Sequence, residues 1–188
     1  YTFSDSYSSA EEEEPNACLY SKSDLVIAGS GSLTVNANYN NGITGKDTLL
    51  IQKASVTVTA VNHGITGKDS LTVRDAAITV TSGGDALRST NDSDTTLGYI
   101  VITGSALKLT AGEDGIQAET TLTISGGTTT VTTAGGAGQS ISDDTSAKGL
   151  KAGTQVTITG GTFQLNCCDD AIHSNGDVTI SGGSFTIA

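Results

Sequence analysis

The sequence predicts an all-β chain wound as a right-handed parallel β-helix, a solenoid of about seven coils of roughly 22 residues with three short strands per coil. Three observations predict it. A small residue followed by Ile or Leu recurs along the chain, and the anchors Leu19, Ile43, Ile65, Leu87, Ile116, Leu150 and Ile172 are spaced 24, 22, 22, 29, 34 and 22 residues apart. Two further apolar pairs of period two follow each anchor, the pattern of half-buried strands. The composition is rich in β-formers and turn residues, with 24 Gly, one Pro and no Trp or Met. That mixture disfavours a helical bundle. At 36% hydrophobic and 15% charged, it is also unlike a disordered chain.

Taken in order, Tyr1-Thr2-Phe3 alternates like the end of a strand, and an acidic run at Glu11–Glu14 follows. Residues 1–18 are therefore expected to be the end of a preceding coil and an acidic linker, with one β-helix domain over 19–188. Within each coil the anchor strand comes first. Two residues after the anchor stands a small residue: Ser21, Gly45, Gly67, Ser89, Ala118, Ala152 and Ser174. The second strand carries Leu25/Ile27, Leu49/Ile51, Leu71/Val73, Ile100/Ile102, Leu122/Ile124, Val156/Ile158 and Val178/Ile180. The third carries Leu33/Val35, Val56/Val58, Ile78/Val80, Leu107/Leu109, Thr129/Val131, Phe163/Leu165 and Phe185/Ile187. The two long spacings are accounted for by loop insertions near 93–99 and 135–146. One coil cannot bury its inward row alone, whereas stacked coils bury a continuous apolar ladder. The right hand is an expectation from the general preference of parallel crossovers and is not read from these residues.

Stacking makes residues a coil apart into neighbours. Two residues before the anchor the chain reads Ala17, Asn41, His63, Asp85, Asp114, Lys148 and Asp170, and Glu113 and Asp169 stand one position earlier in their coils. Carboxylates about 5 Å apart repel unless protonated or bridged by a cation. Asp85, Glu113, Asp114, Asp169 and Asp170, with Asn91 and Asp92 completing the shell, are the expected metal ligands. Ca2+ is the expected ion because it takes six to eight oxygens in flexible geometry. Asn and Asp ladders that cap backbone N–H groups at turns are the alternative for the same column.

The residue after each anchor faces outward and reads Tyr20, Thr44, Thr66, Arg88, Gln117, Lys151 and His173. Arg88, Gln117, Lys151 and His173 are the candidate carbohydrate-binding residues, on a polar ribbon suited to an extended acidic polysaccharide. A plain solvated face is the alternative. Lys22, Lys46 and Lys68 also stack, and Asp47 and Asp69 beside two of them suggest surface pairs.

Several functions are excluded or disfavoured. The net charge of -11 argues against a nucleic-acid binder. No apolar run is long enough for membrane insertion. Two His residues make no zinc motif. Gly64–Asp69 has the wrong spacing for a phosphate loop. Cys18 is too far along the stack to bridge Cys167 or Cys168.

Pro15-Asn16-Ala17, Ser21-Lys22-Ser23-Asp24-Leu25, Gly115-Ile116-Gln117-Ala118-Glu119, Lys148-Gly149-Leu150-Lys151-Ala152 and Asp169-Asp170-Ala171-Ile172-His173 carry a resemblance. The chain resembles a family of secreted bacterial carbohydrate-binding domain-containing proteins, calcium-binding parallel β-helices that are similar to family 9 polysaccharide lyases. The resemblance implies Asp85, Glu113 and Asp114 as calcium ligands and an extracellular or cell-surface location. In a lyase it implies Lys148, or alternatively Lys151, as the base. The expected function is binding of acidic or plant cell-wall polysaccharide without cleavage. The alternatives are an extracellular filament subunit built by end-to-end self-association, and a calcium-dependent lyase acting by β-elimination.

Overall fold

The computed structural model describes residues 1–6, 16–142 and 144–188. The linker expected between the first strand and Asn16 lies largely outside the described residues. These residues form strands and turns and contain no helix. The strands are β1 (Thr2–Ser4), β2 (Ala17–Ser21), β3 (Leu25–Ala28), β4 (Ser32–Ala37), β5 (Asn41–Gly45), β6 (Thr48–Gln52) and β7 (Ser55–Ala60). They continue with β8 (Ile65–Gly67), β9 (Ser70–Arg74), β10 (Ala77–Ser82), β11 (Leu87–Ser89), β12 (Tyr99–Thr103), β13 (Ala106–Ala111) and β14 (Ile116–Ala118). The last are β15 (Thr121–Thr133), β16 (Leu150–Ala152), β17 (Gln155–Asn166), β18 (Ile172–Ser174), β19 (Asp177–Ile180) and β20 (Ser184–Ile187).

Every pairing is parallel, and each strand pairs with its counterpart one repeat on, so the fold is solenoid-like. The anchor strands make a seven-stranded sheet in the order β18-β16-β14-β11-β8-β5-β2. The second and third strands form two further ladders. These join into one thirteen-stranded sheet because β15 and β17 each run through both positions. There the structure departs from three separate strands per repeat. Gly126 and Gly127 take φ of 78° and 83°, so the chain bends with a register shift and keeps its pairing.

The anchor column is the spine of the core. Ile43, Ile65, Leu87, Ile116 and Leu150 are in register with one another and fully buried. Each contributes about 1.5–3 kcal/mol by leaving water. The apolar pairs of the other two ladders face the same interior in the inner repeats. Phe163 and Phe185 stack with centroids 4.6 Å apart and planes 6° from parallel. Tyr1, Phe3 and Val26 at one end, and Val178, Ile180 and Ile187 at the other, are exposed. All three cysteines are free.

The tight packing explains the small residue before the anchor. A Cβ on Gly64 would stand 2.5 Å from the Ala86 carbonyl oxygen of the next repeat. The turn after the second strand is a left-handed position shared by successive repeats, with φ of 54° at Lys53, 50° at Asp75 and 59° at Gly104.

Candidate functional site

The turn entering each anchor strand is built by a side-chain ladder. Asn41 Oδ1 accepts from the His63 N–H at 3.1 Å, and His63 Nδ1 accepts from the Asp85 N–H at 2.9 Å. Asp85 Oδ1 accepts from the Asp114 N–H at 3.0 Å, and Asp114 Oδ1 accepts from the Lys148 N–H at 2.8 Å. The acidic column thus caps turns, as one of the two sequence expectations held. Each capping carboxylate spends one oxygen on the next repeat and keeps the other. An adjoining amide pair, Asn62 Nδ2 donating to Asn40 Oδ1 at 3.0 Å, makes the same kind of link.

The acidic residues differ in their side-chain partners. Asp114 Oδ2 accepts from Lys151 Nζ at 2.8 Å, and its Oδ1 also accepts from Ser146 Oγ at 2.7 Å. Asp169 pairs with Lys148, whose hydrogen bond holds its carboxyl below the usual carboxylate range. Asp170 pairs with His173 at 2.9 Å. Asp85 is different. Its Oδ2 lies 3.4 Å from His63 Nδ1 and 3.6 Å from Arg88 Nη1. Burial, then the neighbouring Asp114 charge, push its carboxyl up to about 6 against the pull of Arg88. Burial, aided by Arg88, presses His63 down to about 4.

Ligand atoms of His63, Asp85 and Glu113 converge within 4.8 Å of one another. His63 was absent from the ligand set expected from sequence, although the column two residues before the anchor already placed it one repeat from Asp85. Asn91 and Asp92 stand apart from this cluster in the loop after β11. Asn91 donates to Asp69 Oδ1 at 2.7 Å, and its own Oδ1 accepts from Ser93 and Asp94, so it closes that loop. Among the described residues, nothing engages the Asp92 side chain.

A polar cavity of about 380 Å³ opens over the cluster. Asp85, Glu113, Asp114, Glu119 and Asp144 supply carboxylates to it, and Arg88, Gln117 and Lys151 line it from the seven-stranded sheet. The outward column is continuous: Tyr20, Thr44, Thr66, Arg88, Gln117, Lys151 and His173 are successive in-register partners. The column is in register, but Thr44 and Thr66 are each 5% exposed, so it is not the continuous solvent-facing ribbon expected. The loop after β15 brings Ser146 to one rim, tied down by Thr133 Oγ1 donating to the Ala147 carbonyl at 2.5 Å. The loop after β11 brings Thr90 to the other, with Ser89 Oγ donating to the Gly98 carbonyl at 2.6 Å.

This arrangement can hold a cation on carboxylates and a polar ligand along the sheet. The expected surface pairs of Lys46 and Lys68 do not form among the described residues, where neither lysine has a carboxylate within ion-pair distance. Asp69 is taken up by Asn91 instead.

Comparison with known proteins follows the same lines. A carbohydrate-binding domain-containing protein of Acetivibrio thermocellus is 45% identical over 125 residues, covering 66% of this chain and 44% of that protein. A solved structure described as a polysaccharide lyase-like protein from C. thermocellum, gadolinium derivative, matches with a TM-score of 0.63 at 28% identity. It covers 95% of this chain and 60% of that one. The chain therefore spans under half the length of that curated relative. A family model for carbohydrate-binding domain-containing proteins matches residues 1–188, and the chain belongs to that family.

Proposed function

We propose that this chain is a calcium-dependent binding module for acidic polysaccharide, laid along the outer face of the seven-stranded sheet without cleavage. The observation that carries the reading is the in-register ribbon Arg88-Gln117-Lys151 flanking the carboxylate cavity. It offers donors for sugar hydroxyls and cationic groups for acidic ones, beside a place for a bridging cation. The cavity donors are hard oxygens, which fit calcium. Asp85 Oδ2 and Glu113 would hold the ion, with Glu119 and Asp144 within the same cavity. The ion would supply charge that a polyanion needs near a chain of net charge -11. The solved neighbour is described as a gadolinium derivative, and lanthanides favour the same hard donors. The reading extends to a right-handed parallel β-helix of about seven coils, and to a location outside the cell, where such polymers occur.

The test is retention on polygalacturonate with calcium and with chelator, beside calcium calorimetry. Wild type should be retained only with calcium, and Asp85→Asn/Glu113→Gln should lose both retention and calcium binding. Retention that ignores chelator would remove the ion from the reading.

The lyase-like neighbour favours a second reading, a lyase with Lys148 as base. Against it, Lys148 donates to Asp169, and an ammonium in that role has no lone pair for a substrate proton. Absorbance of an unsaturated product would establish cleavage, and unchanged turnover in Lys148→Ala would eliminate the assigned base. End-to-end self-association is tested separately by sedimentation against concentration.

A further inference from the structure

Among the described residues, three buried side-chain polar atoms find no hydrogen-bond partner: Thr44 Oγ1, Thr66 Oγ1 and Arg88 Nε. All three residues line one small cavity of about 100 Å³, beside the acidic one and on the same sheet. Lys46 and Lys68 line it too, with no carboxylate partner among the described residues. Thr44 and Thr66 are each 5% exposed, so their hydroxyls are nearly withdrawn from solvent. A buried polar group left unpaired is costly, and three in one place are uncommon.

The other contacts of Arg88 leave Nε free. Its Nη1 lies 2.8 Å from His63 Nε2 and 3.6 Å from Asp85 Oδ2, and neither contact reaches Nε. What the cavity needs is an acceptor bearing negative charge, together with oxygens for two hydroxyls.

We infer that the cavity over Thr44 and Thr66 is a carboxylate subsite that takes one uronic acid unit of the bound polymer. The carboxylate sits among Lys46, Lys68 and Arg88, and oxygens of the same unit meet the two threonine hydroxyls. The inference rests on the polysaccharide reading and adds to it a substrate class and a direction. Thr44, Thr66, Arg88, Gln117 and Lys151 occupy five successive strands, so the polymer runs along the stack, across strands roughly 4.8 Å apart, from the basic subsite to the acidic cavity. Arg88 lines both cavities and stands at the junction.

The experiment is calorimetric titration of the full chain with tetragalacturonate and with its methyl ester, in calcium. Lys46→Gln/Lys68→Gln should weaken tetragalacturonate binding about tenfold or more and flatten its salt dependence. Thr44→Val/Thr66→Val should weaken it severalfold. Both variants should keep the wild-type melting temperature and calcium affinity, which separates a binding effect from misfolding. The methyl ester should bind wild type about as weakly as the acid binds the lysine variant. Wild-type affinity in both variants, or equal binding of acid and ester, overturns the subsite and leaves the polysaccharide reading standing. Failure of wild type to bind either probe overturns that reading itself, and the subsite with it.

Discussion

Replacing Asp85 with Asn isolates the charge at the centre of the acidic cavity. The substitution keeps an Oδ1 acceptor for the Asp114 N–H, so the turn cap survives. It removes a carboxylate that burial, then Asp114, raise from 3.8 to about 6. The sign follows from linkage. A carboxyl raised in the folded state favours folding while protonated, and that advantage disappears as pH rises from about 4 through 6. Above that window the charged form destabilises the metal-free protein by about 3 kcal/mol, the worth of a two-unit shift. His63 acts in the same window with opposite sign. Depressed from 6.5 to about 4, it stabilises the fold above pH 6.5 and loses that contribution as pH falls through 4. Between about pH 4 and 6 the folded pair holds one proton on Asp85 and the unfolded pair holds one on His63. Their slopes nearly cancel in wild type.

Asp85→Asn should break that cancellation. Urea unfolding in chelator should show the variant more stable than wild type by about 1–3 kcal/mol at pH 7.5, with the gap closing to near zero below pH 4. Added calcium should stabilise wild type and not the variant. A variant less stable at pH 7.5, or a gap that does not change with pH, would refute the reasoning.

Other substitutions probe the scaffold. Gly64→Ala should destabilise by about 2 kcal/mol or more in thermal unfolding, since its Cβ meets the next repeat's backbone at 2.5 Å. Lys53→Gly should stabilise by about 1 kcal/mol by the same measurement, because Lys53 holds φ at 54°. Ile65→Ala, in the fully buried anchor column, should cost about 2–5 kcal/mol in urea.

The period was legible because stacking forces every repeat to present the same inward residues. The anchors and both apolar pairs align in the structure as the spacing predicted, and the two longest connections follow β11 and β15, with Tyr99 already in β12. The outward column from Tyr20 to His173 was legible for the same reason. Individual partners were not. Asp85 and Asp114 occupy equivalent positions, yet Lys151 reaches only Asp114 and Arg88 stays with Asp85. That choice depends on side-chain reach across two strands, which spacing does not encode. Lys46 and Lys68 were assigned to sequence-adjacent aspartates, but Asn91 had already taken Asp69 from the next repeat. The fusion of second and third strands in β15 turned on a double glycine that reads equally well as a break.

The capping ladder has a mechanical consequence. Each of its bonds joins one repeat to the next, as does nearly every backbone pairing, so the molecule behaves like a chain of coupled elements whose stability is a sum over adjacent contacts. Opening begins at the ends and travels inward. A polymer bound across five adjacent strands would act as a splint, tying together elements that otherwise communicate only in pairs. Amide exchange would then slow together over the spanned block from Thr44 to Lys151, while Thr2 and Thr186, beyond the splint, keep their own pace.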